Sequence, residues 1–541
     1  MVINKFMRLN YLKLLCFLFI LTQISFCKKN ENTNWDIDLS SPLAFGKLTL
    51  VNIIPDSLFE INALTNEVNL KFSQKIIELN LDTLLEIPDT SIFNSLKPLF
   101  SFTCPANTNV IPTVTNDINF YANNVELSLI KIESGKVNIS LISNIQGVLK
   151  YTYSIPGATL NNVPLIVEIT IPSAPISGSI EVQKEIDLTG YNLDLTGTSG
   201  NEYNKLSSVL TVQTADLPVS VNVSQDSVYS TNTFSVIVPE YAKGYLGSIS
   251  ESFDMENVDF SISNSISGMI DFDQVYIDFD IENGFGVDAR LNINTLASVN
   301  NQTGLTINLE SDFIGNSLNL NRAIDLGNSF TSSNYNLNFN HTNSNIDAFI
   351  GNLPTQLGYD LDIEINPLGN ISNYNDFVYE SSKVEATMNI NIPLKFSTNG
   401  LVVSDTVAFQ KIQSNNDSEE NTNKINFGKL FIEVKNTFPF SATVELNLLD
   451  NGANSLQTVG GIIIASGQYN TLNSTTTSNT NLIVIEATQE LLDNLLTTEN
   501  MALKATFNTY DSGTNGIVSI SSDASIEFKI SGELNYNVTL K

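Results

Sequence analysis

One sentence recurs along this chain, a strand that runs into an asparagine and then resumes as a second strand. It constrains the fold more than any other feature. Leu430, Ile432 and Val434 alternate with polar residues and reach Asn436-Thr437-Phe438-Pro439-Phe440, after which Ala442, Val444, Leu446 and Leu448 continue the alternation. This period of two is that of a half-buried strand. The same pattern runs through Val275, Ile277, Phe279 and Ile281 into Asn283-Gly284-Phe285-Gly286-Val287 and on through Ala289, Leu291 and Ile293. A fainter copy leads from Val137–Ile142 into Asn144-Ile145-Gln146-Gly147-Val148. In that copy Asn138 and Ser140 stand where apolar residues belong, so it either carries an extra bulge residue or is a false match. Each Asn is expected where a long strand bends. Either it adopts the left-handed backbone that Asn tolerates, or it is a repeated ligand-binding amide.

The downstream halves agree. Tyr335–Phe339, Ser344–Ile350 and Tyr359–Ile365 read as strand, short helix, strand, and so do Leu482–Ile485, Thr488–Leu496 and Ala502–Phe507. Ser344 and Thr488 are the expected N-caps. The copies lie more than a hundred residues apart, which is a domain-scale repeat rather than a solenoid. The expected fold is mainly β: antiparallel sandwich-like or elongated bent-sheet modules, repeated, with a few short helices. The boundaries drawn are 1–26 signal peptide, 27–34 tether, 35–108 N-terminal β region, and modules at 109–256, 257–422 and 423–541. Within 35–108 the sequence predicts strands either side of a Pro42 turn, a hairpin from Val68–Phe72 and Ile77–Leu81, and a short helix over Asp89–Leu96. The acidic, Asn-rich loop Ser414–Lys424 is expected to be solvated.

The charge balance is 57 acidic to 26 basic residues, net −31, which excludes a nucleic-acid footprint. At the N-terminus Lys5, Arg8 and Lys13 precede the apolar run Leu14–Leu21, too short for a membrane span and laid out as a signal peptide. Ile24-Ser25-Phe26-Cys27 follows and resembles a bacterial lipobox, which implies acylation of Cys27; Phe26 departs from the small residue usual there. With Cys16 in the signal and Cys27 acylated, only Cys104 remains, so no intramolecular disulfide is expected.

Few groups offer chemistry. His341 is the sole histidine, with no G-x-S-x-G elbow, and is expected at a loop or strand end. Asp278, Asp280 and Glu282 share one strand face; Asp360, Asp362 and Glu364 share another. Such stripes suit calcium or a pair of glycosidic carboxylates, but they read first as solvated sheet faces. No cofactor is implied. Asp56-Ser57-Leu58, Asp82-Thr83-Leu84, Asp226-Ser227-Val228 and Asp405-Thr406-Val407 resemble the O-glycosylation motif of Bacteroidota envelope proteins.

The chain as a whole resembles large uncharacterised secreted lipoproteins of Bacteroidota-type bacteria. The resemblance rests on Trp35-Asp36-Ile37-Asp38, on Ile365-Asn366-Pro367-Leu368-Gly369-Asn370 before Tyr374-Asn375-Asp376-Phe377, and on Ile392-Pro393-Leu394 before Asp405-Thr406-Val407. It implies cell-envelope placement and no particular activity. The expectation is therefore a non-enzymatic binding or scaffolding protein, lipid-anchored to the outer membrane or cell surface, whose partner is an envelope protein, glycan or lipid. The alternatives are a carrier of lipid or another apolar ligand in an elongated β groove, a carboxylate-based glycan hydrolase, and a transmembrane β-barrel.

Overall fold

A computed structural model describes residues 33–50, 54, 58–63, 67–81, 85–122, 124–260, 266–410, 425–470, 475–509 and 516–540. Nearly all of its regular structure is antiparallel strand. The strands form three sandwiches with one topology.

The outer sandwich takes eight strands in chain order: Thr33–Thr49, Lys395–Ala408, Ile425–Asn436, Ser441–Leu449, Ser455–Ile464, Asn479–Glu486, Asn500–Asn508 and Ser525–Leu540. One sheet has the order first-eighth-third-sixth and the other second-seventh-fourth-fifth. The middle sandwich repeats these orders with Val68–Asn80, Ile249–Asp259, Tyr276–Asn283, Ala289–Asn300, a fifth strand split into Leu305–Asn308 and Ser317–Leu320, then Ser333–Phe339, Gln356–Ile365 and Lys383–Pro393. The inner sandwich does so again with Thr90–Leu96, Asn109–Asn119, Glu126–Ser143, Leu149–Leu160, Val163–Ile171, Ile180–Asp187, Lys205–Thr214 and Val228–Tyr245. These orders are those of an eight-stranded jelly roll, two Greek keys folded into two sheets.

The three are nested like brackets. The inner sandwich lies in sequence between the first and second strands of the middle one, and both lie between the first and second strands of the outer one. Residues 35–108 therefore supply one first strand to each sandwich. By contacts the chain divides into two compact units. One holds Met1–Val68, Ser263–Asp271 and Leu394–Lys541; the other holds Asn69–Ile262 and Phe272–Pro393, with the inner and middle sandwiches together.

Three local expectations change. Thr33–Thr49 runs through Pro42 as one strand, with Leu43 as a buried bulge residue. Val68–Asn80 is likewise one strand, not a hairpin. Its register shifts at Ile76, and a bulge reverses the side-chain phase just as a turn between two strands would. Thr90–Leu96 is a strand rather than a helix, because Val228–Phe234 offers it a ladder partner and tertiary pairing outweighs the weak local signal.

The repeated asparagines account for the duplication. Asn283 and Asn436 each end a third strand and are fully buried. Asn283 Oδ1 accepts from Phe285 N at 3.0 Å, and its Nδ2 donates to Val287 O at 3.1 Å and Asn321 O at 2.8 Å. Asn436 Oδ1 accepts from Phe438 N at 2.8 Å, and its Nδ2 donates to Phe440 O and Ala465 O, both at 3.0 Å. The bonds match residue for residue. Neither Asn has a positive φ. The expected left-handed backbone is thus replaced by side-chain bonding that satisfies buried backbone groups at the crossing from one sheet to the other. Ile281 and Val434, two residues earlier, are buried as the phase requires.

The third copy is real but shifted by one residue. Ser143, 1% exposed, ends the inner third strand, and its Oγ accepts from Ile145 N at 3.2 Å. Val137, Ile139 and Leu141 then fall six, four and two residues before it, all buried. Asn144 does a different job, accepting from Ser227 N and donating to Gln225 O.

Two helices sit between sixth and seventh strands: α1 (Ile346–Gly351) in the middle sandwich and α2 (Gln489–Thr497) in the outer. They bury Ile346, Phe349 and Ile350, and Leu491, Leu492 and Leu495. Thr488 caps α2, accepting from Leu491 N. In α1 the N-cap is Asn345, not Ser344, and its amide is spent on Glu310 N and Asn308 O of the neighbouring strand segment. The inner sandwich has a short strand there instead, Asn192–Asp194, which pairs with both its third and fourth strands and joins its two sheets.

The cores differ in kind. Phe279 and Phe339 meet edge to face in the middle sandwich, and Phe438, Phe440 and Phe507 pack together in the outer one. Each such ring contributes about 2–3 kcal/mol through burial. The inner core carries a polar layer. Tyr151 and Tyr153 are fully buried, Tyr151 Oη lies 2.8 Å from Ser230 Oγ, and Ser230 Oγ donates to Asn232. Burial pushes the Tyr151 phenol up to about 12.

Candidate functional site

Cys27, the signal segment and the loop Ser414–Lys424 lie outside the described residues, as do Ser57 and Thr83 of the glycosylation-like motifs. Ser227 is buried, with its N–H spent on Asn144, whereas Thr406 is exposed on a strand. His341 is exposed in a turn closed by the Asn340 side chain, which accepts from Thr342 N.

The acidic stripes form amide ladders. Across the middle sandwich Asn338 donates to Asp278 at 2.8 Å, while Asn336 and Asn389 donate to the two oxygens of Asp280, both at 2.7 Å. Ser332 donates to Glu282. On the other sheet Asn294, the bulge residue of its strand, donates to both Asp360 and Asp362, and Arg290 pairs with Glu364 at 3.3 Å. The solvated-face reading accounts for these bonds. Among the described residues no group of three His, Cys, Asp or Glu side chains is placed to hold a metal ion.

One part of this face forms a groove of about 370 Å³ lined by Asp280, Glu282, Tyr335 and Glu385. Glu282 stands directly opposite Glu385. Lys383 and Lys75 reach Glu385 at 2.6 and 2.8 Å, and the Lys383 bond first, then that of Lys75, holds its carboxyl below the usual range. A group whose folded pKa is depressed adds stability above its unfolded value and loses it as pH falls through the folded value. Glu385→Gln is therefore expected to lose less stability than wild type as pH falls through and below the ordinary glutamate range, about 4.3. Denaturation midpoints that fall equally in both proteins would contradict this.

The stronger candidate is a cleft of about 560 Å³ where the inner and middle sandwiches join, lined by Ala122, Asn124, Val125, Glu126, Asn204, Tyr245 and Ser248. Ala122 and residues 124–126 lead into the inner third strand, Asn204 precedes the seventh, and Tyr245–Ser248 ends the eighth strand and links it to the middle sandwich. The backbone here is costly. Asn124 and Asn204 have φ of 56° and 57°, and Gly247 has φ of 78°. A Cβ on Gly247 would stand 2.9 Å from Asn124 O, so the close approach requires glycine.

A neighbouring loop holds this geometry. Asn366, buried with φ of 46°, donates to Gly247 O at 2.9 Å and to Asp376 Oδ2 at 2.8 Å, and Ser248 Oγ donates to Asn366 O. Asp376, 1% exposed, also accepts from Leu246 N and lies 3.5 Å from Arg322. Tyr374, at φ of 65°, stacks on Tyr203 with ring centres 4.0 Å apart. Non-glycine residues in this region concentrate where structure is held for a purpose. Burial pushes the Tyr374 phenol up, and the Glu126 carboxylate adds to the effect.

The groups facing the cleft have distinct duties. Asn204 is spent on the wall, accepting from Leu127 N at 2.7 Å and donating to Val125 O at 2.6 Å. Tyr245 Oη and Ser248 Oγ lie 3.0 Å apart. Glu126 is the one charged residue among the seven. Such a set binds polar ligands through hydrogen bonds. The sequence flagged the Ile365–Phe377 stretch but not Asn124, Glu126, Tyr245 or Ser248. These belong to segments more than a hundred residues apart, and no local pattern marks their convergence.

No protein-family model and no curated protein matches the sequence. Among solved structures, a Parabacteroides distasonis protein described as secreted is 9% identical at a TM-score of 0.28, covering 93% of this chain and 99% of its own. The Sulfolobus turreted icosahedral virus structure is 10% identical at 0.11, covering 85% and 95%. A peptide-N(4)-(N-acetyl-β-D-glucosaminyl) asparagine amidase is 6% identical at 0.14, covering 56% and 96%. At these values nothing is transferred from them to this chain.

Proposed function

We propose that the chain is an exported envelope lipoprotein, held to the outer membrane through acylated Cys27, that acts by binding rather than catalysis. The addressing half rests on Lys5, Arg8 and Lys13 before the apolar run and on Ile24–Cys27. No helix of the described residues is long and apolar enough to cross a membrane. The binding half rests on one observation. The strained backbone at the junction supports an open polar cleft whose lining holds a single carboxylate, whereas glycoside hydrolysis calls for two. Carriage of an apolar ligand has less support, because the cleft and the groove are polar and aromatic rings pack the middle and outer sandwich centres.

Each buried CH₂ of an acyl chain is worth ~0.8 kcal/mol, so two or more chains give stable anchoring. Cys27→Ala is expected to move the protein from the membrane to the soluble fraction and abolish fatty-acid labelling. A wild-type protein without label, or a variant that stays with the membrane, would refute the anchor. For the binding half, pull-down from envelope extract is expected to recover a partner with wild type and to lose it with Glu126→Gln. Equal recovery by both would remove the cleft from the reading.

A further inference from the structure

We infer that the junction cleft takes a neutral, hydroxyl-rich ligand, a saccharide, and discriminates against anionic ones; this rests on the binding reading above. The cleft offers a ligand only the polar groups that its structural bonds leave over. Asn204 is spent on Leu127 N and Val125 O, so its amide belongs to the wall. The Asn124 amide, exposed at the rim, carries no hydrogen bond among the described residues. Its left-handed backbone fixes where it stands. Glu126 is exposed beside it, in no ion pair among the described residues, and the Tyr374 phenol hydrogen-bonds to its carboxylate, which takes part of its acceptor capacity and leaves the rest open. Tyr245 and Ser248 add two hydroxyl oxygens 3.0 Å apart; Ser248 already donates to Asn366 O, so it offers only its acceptor side.

What remains is a carboxylate and an amide on one segment and a hydroxyl pair on another. A carboxylate accepts from two neighbouring hydroxyls at once, an amide both donates and accepts, and hydroxyls do either. A ring bearing adjacent hydroxyls matches that set group for group. An acyl chain does not, since the alkyl surface among the lining residues is limited to Ala122 and Val125 and the stems of polar side chains. An anionic sugar meets Glu126 with no Lys or Arg in the lining to offset it, on a chain of net charge −31. Like charges at contact are a strong rejecting element. A cationic peptide would satisfy Glu126 but leave the amide and the hydroxyl pair without the neighbouring hydroxyls they match.

The test is a glycan array of neutral, uronic-acid and sulfated oligosaccharides probed with the purified full chain, followed by calorimetry on each glycan that binds. Two variants keep the fold. Glu126→Gln preserves shape and removes the charge. Asn124→Gly preserves the left-handed backbone and removes the amide. Binding confined to neutral glycans, at least tenfold weaker in Glu126→Gln and clearly weaker in Asn124→Gly, is the expected result. A tenfold loss is about 1.4 kcal/mol. Three outcomes overturn the inference: no neutral glycan bound, acidic glycans bound equally well, or neutral binding untouched by both variants. A blank array beside an envelope partner that Glu126→Gln loses in pull-down would end the saccharide assignment and leave the binding function standing. If Glu126→Gln also leaves pull-down unchanged, both fall.

Discussion

Asn436→Ala is expected to lower the stability of the outer sandwich by about 3 kcal/mol, among the largest effects available to a single polar substitution here. The residue is fully buried and makes three hydrogen bonds, to Phe438 N, Phe440 O and Ala465 O. Alanine leaves one N–H without a partner and strips a donor from two carbonyls, and each buried orphan costs about 1–3 kcal/mol. Two further variants separate this cause from a backbone one. Asn436→Asp can still accept from Phe438 N but cannot donate, so it should be no better than alanine. Asn436→Gly should give no rescue, because φ is not positive there. Asn283→Ala in the middle sandwich is expected to behave alike, since its three bonds are the same in kind. Denaturant midpoints read all four; a glycine variant as stable as wild type would return the argument to the backbone.

Cutting residues 69–393 out of the chain and joining Val68 to Leu394 through a two-residue turn is expected to leave a folded outer sandwich. So large a deletion normally destroys a domain. Here all eight outer strands lie outside the excised segment, and the contact division falls at Val68 and Leu394. The ends are already neighbours: Leu394 N donates to Val68 O at 2.8 Å. Adjacent entry and exit points are what lets one domain be inserted in another. The edge strand Ile266–Phe272, which pairs with the outer second strand, leaves with the insert and lies outside the eight. The excised 69–393 segment holds both remaining sandwiches and is expected to fold alone. Cooperative unfolding of each piece would establish the nesting. A molten or aggregated outer piece would show that its stability depends on the insert.

Strand identity and phase were legible because alternation is local. Residues two apart face the same way whatever they pair with, so Ile281 and Val434 could be placed in a core before any partner was known. The same rule locates Ser143: counting back along Leu141, Ile139 and Val137 gives the inner copy its register, which the more conspicuous Asn144 obscures. Phase also misled where a bulge intervened. At Ile76 and Leu43 one extra residue reversed the alternation, and the sequence read a turn inside a continuous strand.

The cleft was not legible for a related reason. Glu126 and Ser248 are ordinary residues at strand ends, and what makes them a site is the path of the chain between them. The supporting residues Asn366, Tyr374 and Asp376 lay in a stretch the sequence had marked, but nothing there indicated that Asn366 would reach Gly247.

By itself the sequence determined that this protein is built of antiparallel strands, which residues face inward, and that one strand-to-strand crossing is repeated. Each of those follows from side-chain spacing along a single segment. Tertiary structure alone decided which strands belong together. A strand's hydrogen bonds are completed by other segments, so Thr33–Thr49 pairs with Ser525–Leu540 nearly five hundred residues later, while Val68–Asn80 and Thr90–Leu96 close two different sandwiches. Nothing within a first strand names its partner. That choice is made by whichever sheet can bury its apolar face in register, and burial of that kind exists only once the whole chain has folded.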